Sequence, residues 1–331
     1  MRFKFPTVQR SQELLDFAFK TAREQQPKTN KKMRSTERYA KDLEKTRIEN
    51  GAEILEDKIK KIADSFPDFE QLPQFYQELC DASFGLDETK RRLGHVRSSS
   101  KIISKLKRET IGKIFKSRSV HEIRKHSTAF YGRVSSVVKK LDRDLVELEK
   151  SRRLLVGFPN IQTQLPTVVL AGFPNVGKTT LLAALTGSVP EIAPYPFTTK
   201  GLKLGYIHEK YWTIQIIDTP GLLDRQFAKM NAIEKKALAA ISKLADRIIF
   251  VFDPTWTSGF SVEQQTKLLN DMRLEFEPSK VWIAFTKTDL ATPEEIKTAQ
   301  EQAGKGFLVN PQNVAQLRQK LIEWAKEKPP Q

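Results

Sequence analysis

The segment Gly172-Phe-Pro-Asn-Val-Gly-Lys-Thr179 limits the folds open to this chain more than any other part of its sequence. It follows a short β-branched run at 167–171 and precedes a helix-like stretch at 178–186. A glycine-rich turn at such a place lets backbone N–H groups surround an anion, and the N-terminus of the helix adds further donors. The pattern therefore predicts a phosphate-binding loop. A chance match in an ordinary glycine-containing turn is the alternative, which the later motifs disfavour.

The chain downstream of Leu165 has the pattern of an α/β fold. Strand-like runs alternate with helix-like segments, which predicts a mainly parallel sheet with helices on both faces. The predicted strands are 167–171, 213–217, 247–252 and 281–285, and the predicted helices are 178–186, 231–243, 262–273 and 311–326.

The first 150 residues follow a helical period instead. Apolar residues recur at spacings of four and three, which places a stripe on one face of each helix and predicts an all-α helical bundle. The clearest stripes are Ile48, Ala52, Leu55, Ile59 and Ile62, and Val134, Val138, Leu141, Leu145 and Leu148. We predict helices near 8–25, 34–64, 72–83, 88–115 and 120–152. The predicted division is a helical domain at 1–152, a linker at 153–165 and the α/β domain at 166–331.

A second motif, Asp218-Thr-Pro-Gly221, follows the predicted strand at 213–217. A carboxylate here lies beside the phosphate loop and can hold Mg²⁺ through water. The backbone N–H of Gly221 can meet a γ-phosphate only in the triphosphate state, so the segment 222–232 is expected to sense the bound nucleotide. An ordinary turn is the alternative, and the spacing from Lys178 favours the functional interpretation.

The loop Tyr195-Pro-Phe-Thr-Thr199 lies between these two motifs, in the place of a first switch. One of its hydroxyls is expected to complete the Mg²⁺ shell in the triphosphate state, with Thr199 preferred and Thr198 as the fallback. A plain polar loop stays the alternative.

The residues Thr286-Lys287-Thr288-Asp289 follow the predicted strand at 281–285 and are the candidate base-reading motif. Asp289 can accept from the N1–H and 2-amino group of guanine, whereas adenine lacks both donors, and Lys287 can lay its stem along the base. The usual motif begins with asparagine, so Thr286 is expected to weaken the site by roughly one hydrogen bond, about 1 kcal/mol. Asn310 is a candidate for the last base-contacting loop.

The residue after Gly221 is Leu222, where many GTPases have a glutamine that orients the attacking water. An apolar side chain cannot do this, so we expect slow basal hydrolysis of GTP to GDP and phosphate. Asn175, in its Pro-Asn-Val-Gly-Lys context, resembles GTPases that use K⁺ in place of an arginine finger. A role of Asn175 in shaping the loop is the alternative.

Together these motifs predict an α/β P-loop GTPase domain that binds GTP or GDP with Mg²⁺. The expected Mg²⁺ ligands are Thr179, Thr199 and Asp218, and the groups expected to act on the reaction are Asn175, Lys178, Thr199 and Gly221. The expected nucleotide contacts are Phe173, Pro174, Asn175, Val176, Gly177, Lys178, Thr179, Thr180, Asp218, Gly221, Thr286, Lys287, Asp289 and Asn310.

Positive charge is concentrated in one part of the predicted bundle. The chain has a formal net charge of +16, and residues 90–140 contain 16 Lys or Arg against two acids, Glu109 and Glu122. A solvated helix face normally mixes both signs, so this segment predicts RNA binding through phosphates, with neutral solvation or an anionic membrane surface as weaker alternatives. Ser98, Ser99, Ser100 and Ser117 are expected to add hydrogen-bond donors for phosphate.

The motifs at 172–179, 195–200 and 218–224 resemble the Obg-related branch of the translation-factor-class GTPases. The run Phe66-Pro-Asp-Phe-Glu-Gln-Leu-Pro-Gln-Phe-Tyr-Gln-Glu-Leu79 and Leu93-Gly-His-Val96 resemble the helical N-terminal domain of the nucleolar GTP-binding protein 1 family, as does the opening at 5–19. This resemblance implies a switch in large ribosomal subunit assembly, with large-subunit rRNA, the pre-ribosomal particle and other assembly factors as partners.

Two other functions stay open at this point. One is an RNA-binding structural placeholder on the ribosome, in which the nucleotide stabilises the fold and turnover is small. The other is a tRNA-modification or stress-signalling GTPase, against which the N-terminal resemblance argues. The long C-terminal extension of eukaryotic members is missing, so we expect an archaeal or minimal version that is a cytoplasmic monomer, nucleolar only if eukaryotic.

Cysteine content and hydropathy bear on the compartment. Cys80 is the single cysteine, so a disulfide within the chain is excluded and a reducing compartment is expected. No run approaches the roughly 20 apolar residues that span a bilayer, and the first residues lack an apolar signal region, so we expect a soluble protein that is not secreted by that route and has no membrane partner.

Overall fold

The computed structural model describes residues 5–27, 35–198, 201–224, 227 and 230–327. The chain forms two compact units, which we call the helical unit and the GTPase unit. The helical unit lies within Phe3–Phe69 and Phe84–Val156, and the GTPase unit combines Glu70–Ser83 with Gly157–Gln331. Residues 70–83 therefore belong to the GTPase unit although residues of the helical unit lie on both sides of them in the chain. The predicted boundaries of the helical domain, the linker and the α/β domain, at 152, 165 and 166, stay a prediction.

Six helices are described before residue 157, and the apolar stripes of the sequence form their core. Ile48, Leu55 and Ile59 are fully buried on the second helix, and Val134 and Val138 on the fifth. No described helix is both long enough and apolar enough to cross a membrane. The helices are α1 (Ser11–Glu24), α2 (Thr36–Ser65), α3 (Gln74–Phe84), α4 (Leu86–Lys116), α5 (Val120–Lys140) and α6 (Asp142–Val156).

The predicted helix at 120–152 is divided at Leu141, which separates α5 from α6. The backbone N–H of Leu141 donates to the carbonyl of Val138, three residues back, which tightens the turn. Asp142 thereby begins α6 and accepts hydrogen bonds from Arg10 and from both the N–H and the hydroxyl of Ser11. These bonds, that from Arg10 first, lower the pKa of Asp142 to about 2.

The described residues of the GTPase unit form a seven-stranded sheet with the order β2-β3-β4-β1-β5-β6-β7. β1 is parallel to both β4 and β5, and among the described strands the antiparallel pairs are β2–β3 and β3–β4, so the predicted mainly parallel α/β fold is confirmed. The strands are β1 (Thr167–Ala171), β2 (Glu191–Ala193), β3 (Leu202–Glu209), β4 (Trp212–Asp218), β5 (Arg247–Phe252), β6 (Val281–Phe285) and β7 (Phe307–Leu308). The helices are α7 (Lys178–Thr186), α8 (Ala232–Leu244), α9 (Val262–Glu275), α10 (Pro293–Ala303) and α11 (Ala315–Glu327).

Four of these elements, β2, β3, β7 and α10, were not predicted. In β3 the alternation of apolar residues is interrupted by Gly205, which allows α7 to pack closely on the strand. A Cβ at Gly205 would lie 2.8 Å from Thr186 and 2.9 Å from Leu182. In α10 only Ala299 and Ala303 are buried, so its apolar signal is weak.

Helix α3 packs as part of the GTPase unit although it precedes α4 in the chain. The buried Tyr76 hydroxyl donates to the carbonyl of Pro159 (2.9 Å) and accepts from the N–H of Ile161 (3.0 Å). Burial raises the pKa of Tyr76 to about 12. Asp81 forms an ion pair with Lys236 of α8 (3.0 Å). These bonds join α3 to residues that lie more than 80 positions further along the chain.

Candidate nucleotide-binding site

The predicted phosphate loop connects β1 to α7 and owes its shape to positive φ angles. Gly172, Asn175 and Gly177 have φ angles of 125°, 63° and 99°. A Cβ at Gly172 would lie 2.4 Å from the carbonyl oxygen of Val251, so only glycine fits there. Gly177 caps α7, whose free N–H groups are therefore directed into the loop.

Lys178 places a positive charge inside this loop. Its side chain is buried, and its Nζ donates to the carbonyls of Gly172 (2.6 Å) and Phe173 (2.7 Å). Phe173 is stacked on Phe260 with 4.1 Å between the ring centroids, which fixes the other side of the loop. The ammonium is thus oriented by the backbone that would surround a phosphate.

Thr179 and Asp218 have the arrangement that a Mg²⁺ site needs. The Thr179 hydroxyl donates to Oδ2 of Asp218 (2.7 Å), whereas Oδ1 is buried and accepts no hydrogen bond from the described residues. Burial raises the pKa of Asp218, and the Thr179 hydrogen bond and the charges of Lys178 and Lys203 oppose this shift. A buried carboxylate oxygen without a donor, next to a hydroxyl, fits a hard cation.

The first-switch loop is described only up to Thr198. The preferred Mg²⁺ ligand, Thr199, lies outside the described residues, and the Oγ1 of Thr198 is buried with no hydrogen-bond partner among them. Tyr195 attaches the loop to α8, because its buried hydroxyl donates to the carbonyl of Ala237 (3.0 Å). Desolvation raises the pKa of Tyr195, which therefore remains a neutral donor.

At the second motif, Gly221 has a φ of 85° and its N–H donates to Oδ2 of Asp224 (2.8 Å). Leu222 and Leu223 are fully buried, and the carbonyl of Leu223 accepts from the N–H of Gly172. The side chain of Leu222 is thus part of the core and has no polar group to offer a water molecule. Of the segment 222–232, residues 225–226 and 228–229 lie outside the described residues.

A pocket of about 240 Å³, which we call the base pocket, lies beside the phosphate loop and is lined by the candidate base-reading residues. Asp289 is exposed at this pocket. Asn310 also lines it, and its Oδ1 accepts from the backbone N–H groups of Gln312 and Asn313, so the side chain shapes its own loop. The lining residues include Gly177, Thr180, Leu181, Thr286, Lys287, Asp289 and Asn310.

Thr286, which replaces the usual asparagine, connects the base pocket to the phosphate loop. Its buried hydroxyl donates to the carbonyl of Val176 (2.6 Å), with a longer contact to that of Phe252 (3.2 Å). A hydroxyl has one hydrogen to donate, so Thr286 has none left for a base. The replacement therefore keeps a connection between the two loops.

The side chain of Lys287 is positioned by residues that the motifs did not indicate. Its Nζ donates to Oδ2 of Asp253 (2.7 Å) and to the Thr257 hydroxyl (2.8 Å). Asp253 is fully buried and also accepts from the N–H and the hydroxyl of Thr255. It directly follows β5, a parallel neighbour of β1, and a polar residue at the carboxyl end of such a strand was a usable signal.

Pro174, Asn175 and Thr180 line a pocket at the phosphate loop, which we call the phosphate pocket. Lys178, Thr179 and Asp218 line it as well. Asn175 and Thr180 are exposed there, whereas Val176, a residue of the same loop, has a buried side chain. Most of the described candidates thus line one or both of two adjoining pockets, whereas Phe173, Val176 and Gly221 line neither. Lys203 and Asp224 also line the phosphate pocket and were missed.

Comparison with known families gives one match in the first half of the chain and one in the second. Residues 3–162 match the family described as the NOG1 N-terminal helical domain, and residues 167–287 match the family described as 50S ribosome-binding GTPase.

Relatives with similar sequences come from archaea and eukaryotes. An uncharacterized protein of Methanocaldococcus jannaschii is 35% identical over 294 residues, which cover 89% of this chain and 82% of that protein. Nucleolar GTP-binding protein 1 of Candida glabrata is 34% identical and that of Saccharomyces cerevisiae 30% identical, each over 74% of this chain. The chain spans only 38% of the length of these two relatives.

Two solved structures are similar to part of the chain. A crystal structure of a nucleolar GTP-binding protein 1 from Plasmodium falciparum has a TM-score of 0.43 and 26% identity and covers 51% of this chain and 90% of that one. The G domain of the FeoB iron transporter of T. maritima has a TM-score of 0.40 and 34% identity, with 49% and 99% covered.

Proposed function

This chain belongs to the nucleolar GTP-binding protein 1 family and is a GTP-binding P-loop GTPase, and from that premise we propose that it acts as a switch in large ribosomal subunit assembly. In this proposal the helical unit binds ribosomal RNA, and GTP hydrolysis times release from a pre-ribosomal particle that also contains other assembly factors. The description of the GTPase family as ribosome-binding supports this role. We further propose that the protein works as a cytoplasmic monomer of the archaeal type.

One observation carries the RNA-binding proposal. Ten Lys and Arg side chains of α4, α5 and their connection are exposed, and no described residue forms an ion pair with them. By contrast, Arg91, Arg92, Arg97 and Lys107 each have a carboxylate within 4 Å. The unpaired set, which we call the basic surface, is Lys101, Arg108, Lys113, Lys116, Arg118, Arg124, Lys125, Arg133, Lys139 and Lys140.

Unpaired exposed cations favour a polyanion because binding releases its condensed counterions. Such contacts position a protein on RNA through phosphates and do not read bases. The expected contribution of serines was wrong for Ser99 and Ser117, which are buried and donate to carbonyls of their own helix. The proposal therefore depends on the cations.

A charge-removal variant tests the basic surface. Lys113, Lys116, Arg124 and Lys125 are changed to Gln, and binding to large-subunit rRNA is measured across a salt series. We expect a loss of about 10- to 100-fold at low salt and a shallower salt dependence, since roughly one counterion is released per phosphate contact. The matched control changes four exposed lysines of the GTPase unit, Lys267, Lys297, Lys305 and Lys326. An equal loss in both variants would contradict a localised RNA site.

Mg²⁺ would be held by Thr179 and Asp218, and by Thr199 in the triphosphate state. When bound, the ion would draw charge from the phosphates. The chain itself would orient the phosphates with Lys178 and the N–H groups of the loop. Because Leu222 is buried in the core, we propose that basal hydrolysis is slow.

Asn175 remains the proposed K⁺ ligand. It is exposed at the rim of the phosphate pocket, and its amide makes no hydrogen bond within the described part of the chain. We expect single-turnover hydrolysis to be faster in K⁺ than in Na⁺ and the Asn175→Ala variant to lose that difference. Equal rates in the two salts would leave Asn175 with a role in loop shape only.

A structural placeholder on the ribosome is the second candidate, and the burial of Leu222 favours it. Single-turnover hydrolysis with and without purified large subunits separates the two functions. A clear acceleration by the subunits supports the switch, whereas an unchanged slow rate supports the placeholder.

A further inference from the structure

Lys203 reaches the phosphate pocket from β3, although no sequence motif includes it. Its residue is the direct partner of Asp218 across β3 and β4. The Nζ of Lys203 donates to Oγ1 of Thr179 at 2.8 Å, and that hydroxyl donates in turn to Oδ2 of Asp218 at 2.7 Å. A half-buried ammonium is thus bonded to the hydroxyl that fits Mg²⁺.

The hydroxyl of Thr179 has one hydrogen and two lone pairs. Its hydrogen is used by Asp218, so Lys203 occupies a lone pair, which is also what a metal ion needs. A second cation on the same oxygen would stand next to the ammonium, where burial reduces screening by water and the two charges repel. Occupancy by Mg²⁺ and the bond from Lys203 therefore oppose each other.

The ammonium of Lys203 would lie near an anionic group whether or not it is bonded to Thr179, because both Asp218 and the place for the phosphates are close to it. Asp218 is almost fully buried, and its Oδ1 has no donor among the described residues, so the nearby charge of Lys203 stabilises the carboxylate. Lys203 lines the same pocket as Lys178 and Thr180, where phosphates would lie. Its flexible four-carbon stem allows it to leave Thr179 and stay beside the phosphates.

We propose that Lys203 is an internal cation of the nucleotide site, which takes the place of Mg²⁺ on Thr179 when Mg²⁺ is scarce and competes with it when Mg²⁺ is present. The protein would then retain GDP at low Mg²⁺ and bind Mg²⁺ more loosely than Thr179 and Asp218 alone would. The inference rests on the guanine-nucleotide site of the proposed function and makes no use of its ribosomal role.

The test compares the wild-type chain with Lys203→Met, which keeps the apolar stem and removes the charge. Affinity for fluorescently labelled GDP is measured in EDTA and in millimolar Mg²⁺. In EDTA we expect Lys203→Met to bind GDP about tenfold more weakly, and in Mg²⁺ within about twofold of wild type, a coupling of ordinary size. The Mg²⁺ midpoint for the GDP complex is expected about tenfold lower in the variant.

Two control variants define the interpretation. Lys203→Arg keeps a cation and should behave like wild type in EDTA, and Lys210→Met removes an exposed lysine at the turn after β3 and should change neither condition. Equal weakening with and without Mg²⁺, or no weakening in EDTA, overturns the proposal. A wild-type chain that binds no GDP in either condition would instead refute the proposed function.

Discussion

In the GTPase unit, Asp253 is fully buried and holds Lys287 at 2.7 Å, whereas on α4 of the helical unit Lys113 is exposed and no described residue forms an ion pair with it. The buried charge at Asp253 in the GTPase unit thus has fixed partners, whereas the basic surface of the helical unit consists of exposed cations with no ion-pair partner among the described residues. Fixed partners make each group hard to replace, because its loss leaves another polar group desolvated. A group of solvated cations acts collectively, and each member contributes little.

The largest effect is expected for Asp253→Ala. The change leaves the ammonium of Lys287 and two threonine hydroxyls without their acceptor, so we expect the free energy of unfolding to fall by about 3 kcal/mol. Denaturant unfolding of the full chain measures this loss. Glu301→Ala, which removes an exposed carboxylate from α10, should be close to neutral. Similar stability of the two variants would mean that the buried charge is replaceable.

A smaller but more specific effect is expected for Asp289→Asn. The amide cannot accept from both guanine donors, so GDP affinity should fall about tenfold or more, and xanthosine diphosphate should gain relative to GDP. Competition binding with the two nucleotides measures the exchange of preference. A variant that still prefers GDP would remove Asp289 from base recognition.

A single change in the basic surface should have a smaller effect still. Lys113→Gln is expected to weaken rRNA binding only about two- to threefold at low salt, because roughly one phosphate contact is lost. Filter binding or fluorescence anisotropy against the same RNA is sufficient. A loss as large as that of the fourfold variant would show that Lys113 has one defined partner, like the charges of the GTPase unit.

The smallest effect concerns acid stability of the helical unit. Hydrogen bonds from Arg10 and Ser11 lower the pKa of Asp142 from its ordinary value of 3.8 to about 2. A lowered folded-state pKa gives stability that is present above pH 3.8 and is lost as the pH falls towards about 2. Asp142→Asn should therefore reduce the melting temperature slightly near neutral pH and show a weaker decline on acidification. Parallel curves for the two proteins would remove the contribution of Asp142.

Much of the fold and of the candidate site could be predicted from the sequence, because these parts depend on local patterns. β1, β5 and β6 are uninterrupted apolar runs between polar turns, and their predicted bounds match the structure. The phosphate loop and the residues after β4 and β6 follow such runs at fixed offsets. The helical stripes on α2 and α5 were equally local.

What could not be predicted depends on pairing between distant residues. Lys203 reaches Thr179 only because β3 pairs with β4 in one register, and β3 itself was hidden by Gly205. Thr286 was expected to be a weakened base contact, yet its hydroxyl is directed at Val176, a preference that no local pattern encodes. The place of α3 in the GTPase unit depends on Tyr76 meeting residues 83 and 85 positions away.

That place of α3 has a consequence for the order in which the protein is made. A ribosome completes α3 long before it adds Pro159 and Ile161, so the hydroxyl of Tyr76 cannot form its hydrogen bonds to those two residues during that interval. The GTPase unit can therefore be completed only after its later residues pack against a segment, 70–83, that was synthesised before them. A gene fragment that starts at β1 would encode the nucleotide motifs and omit one helix of their own unit.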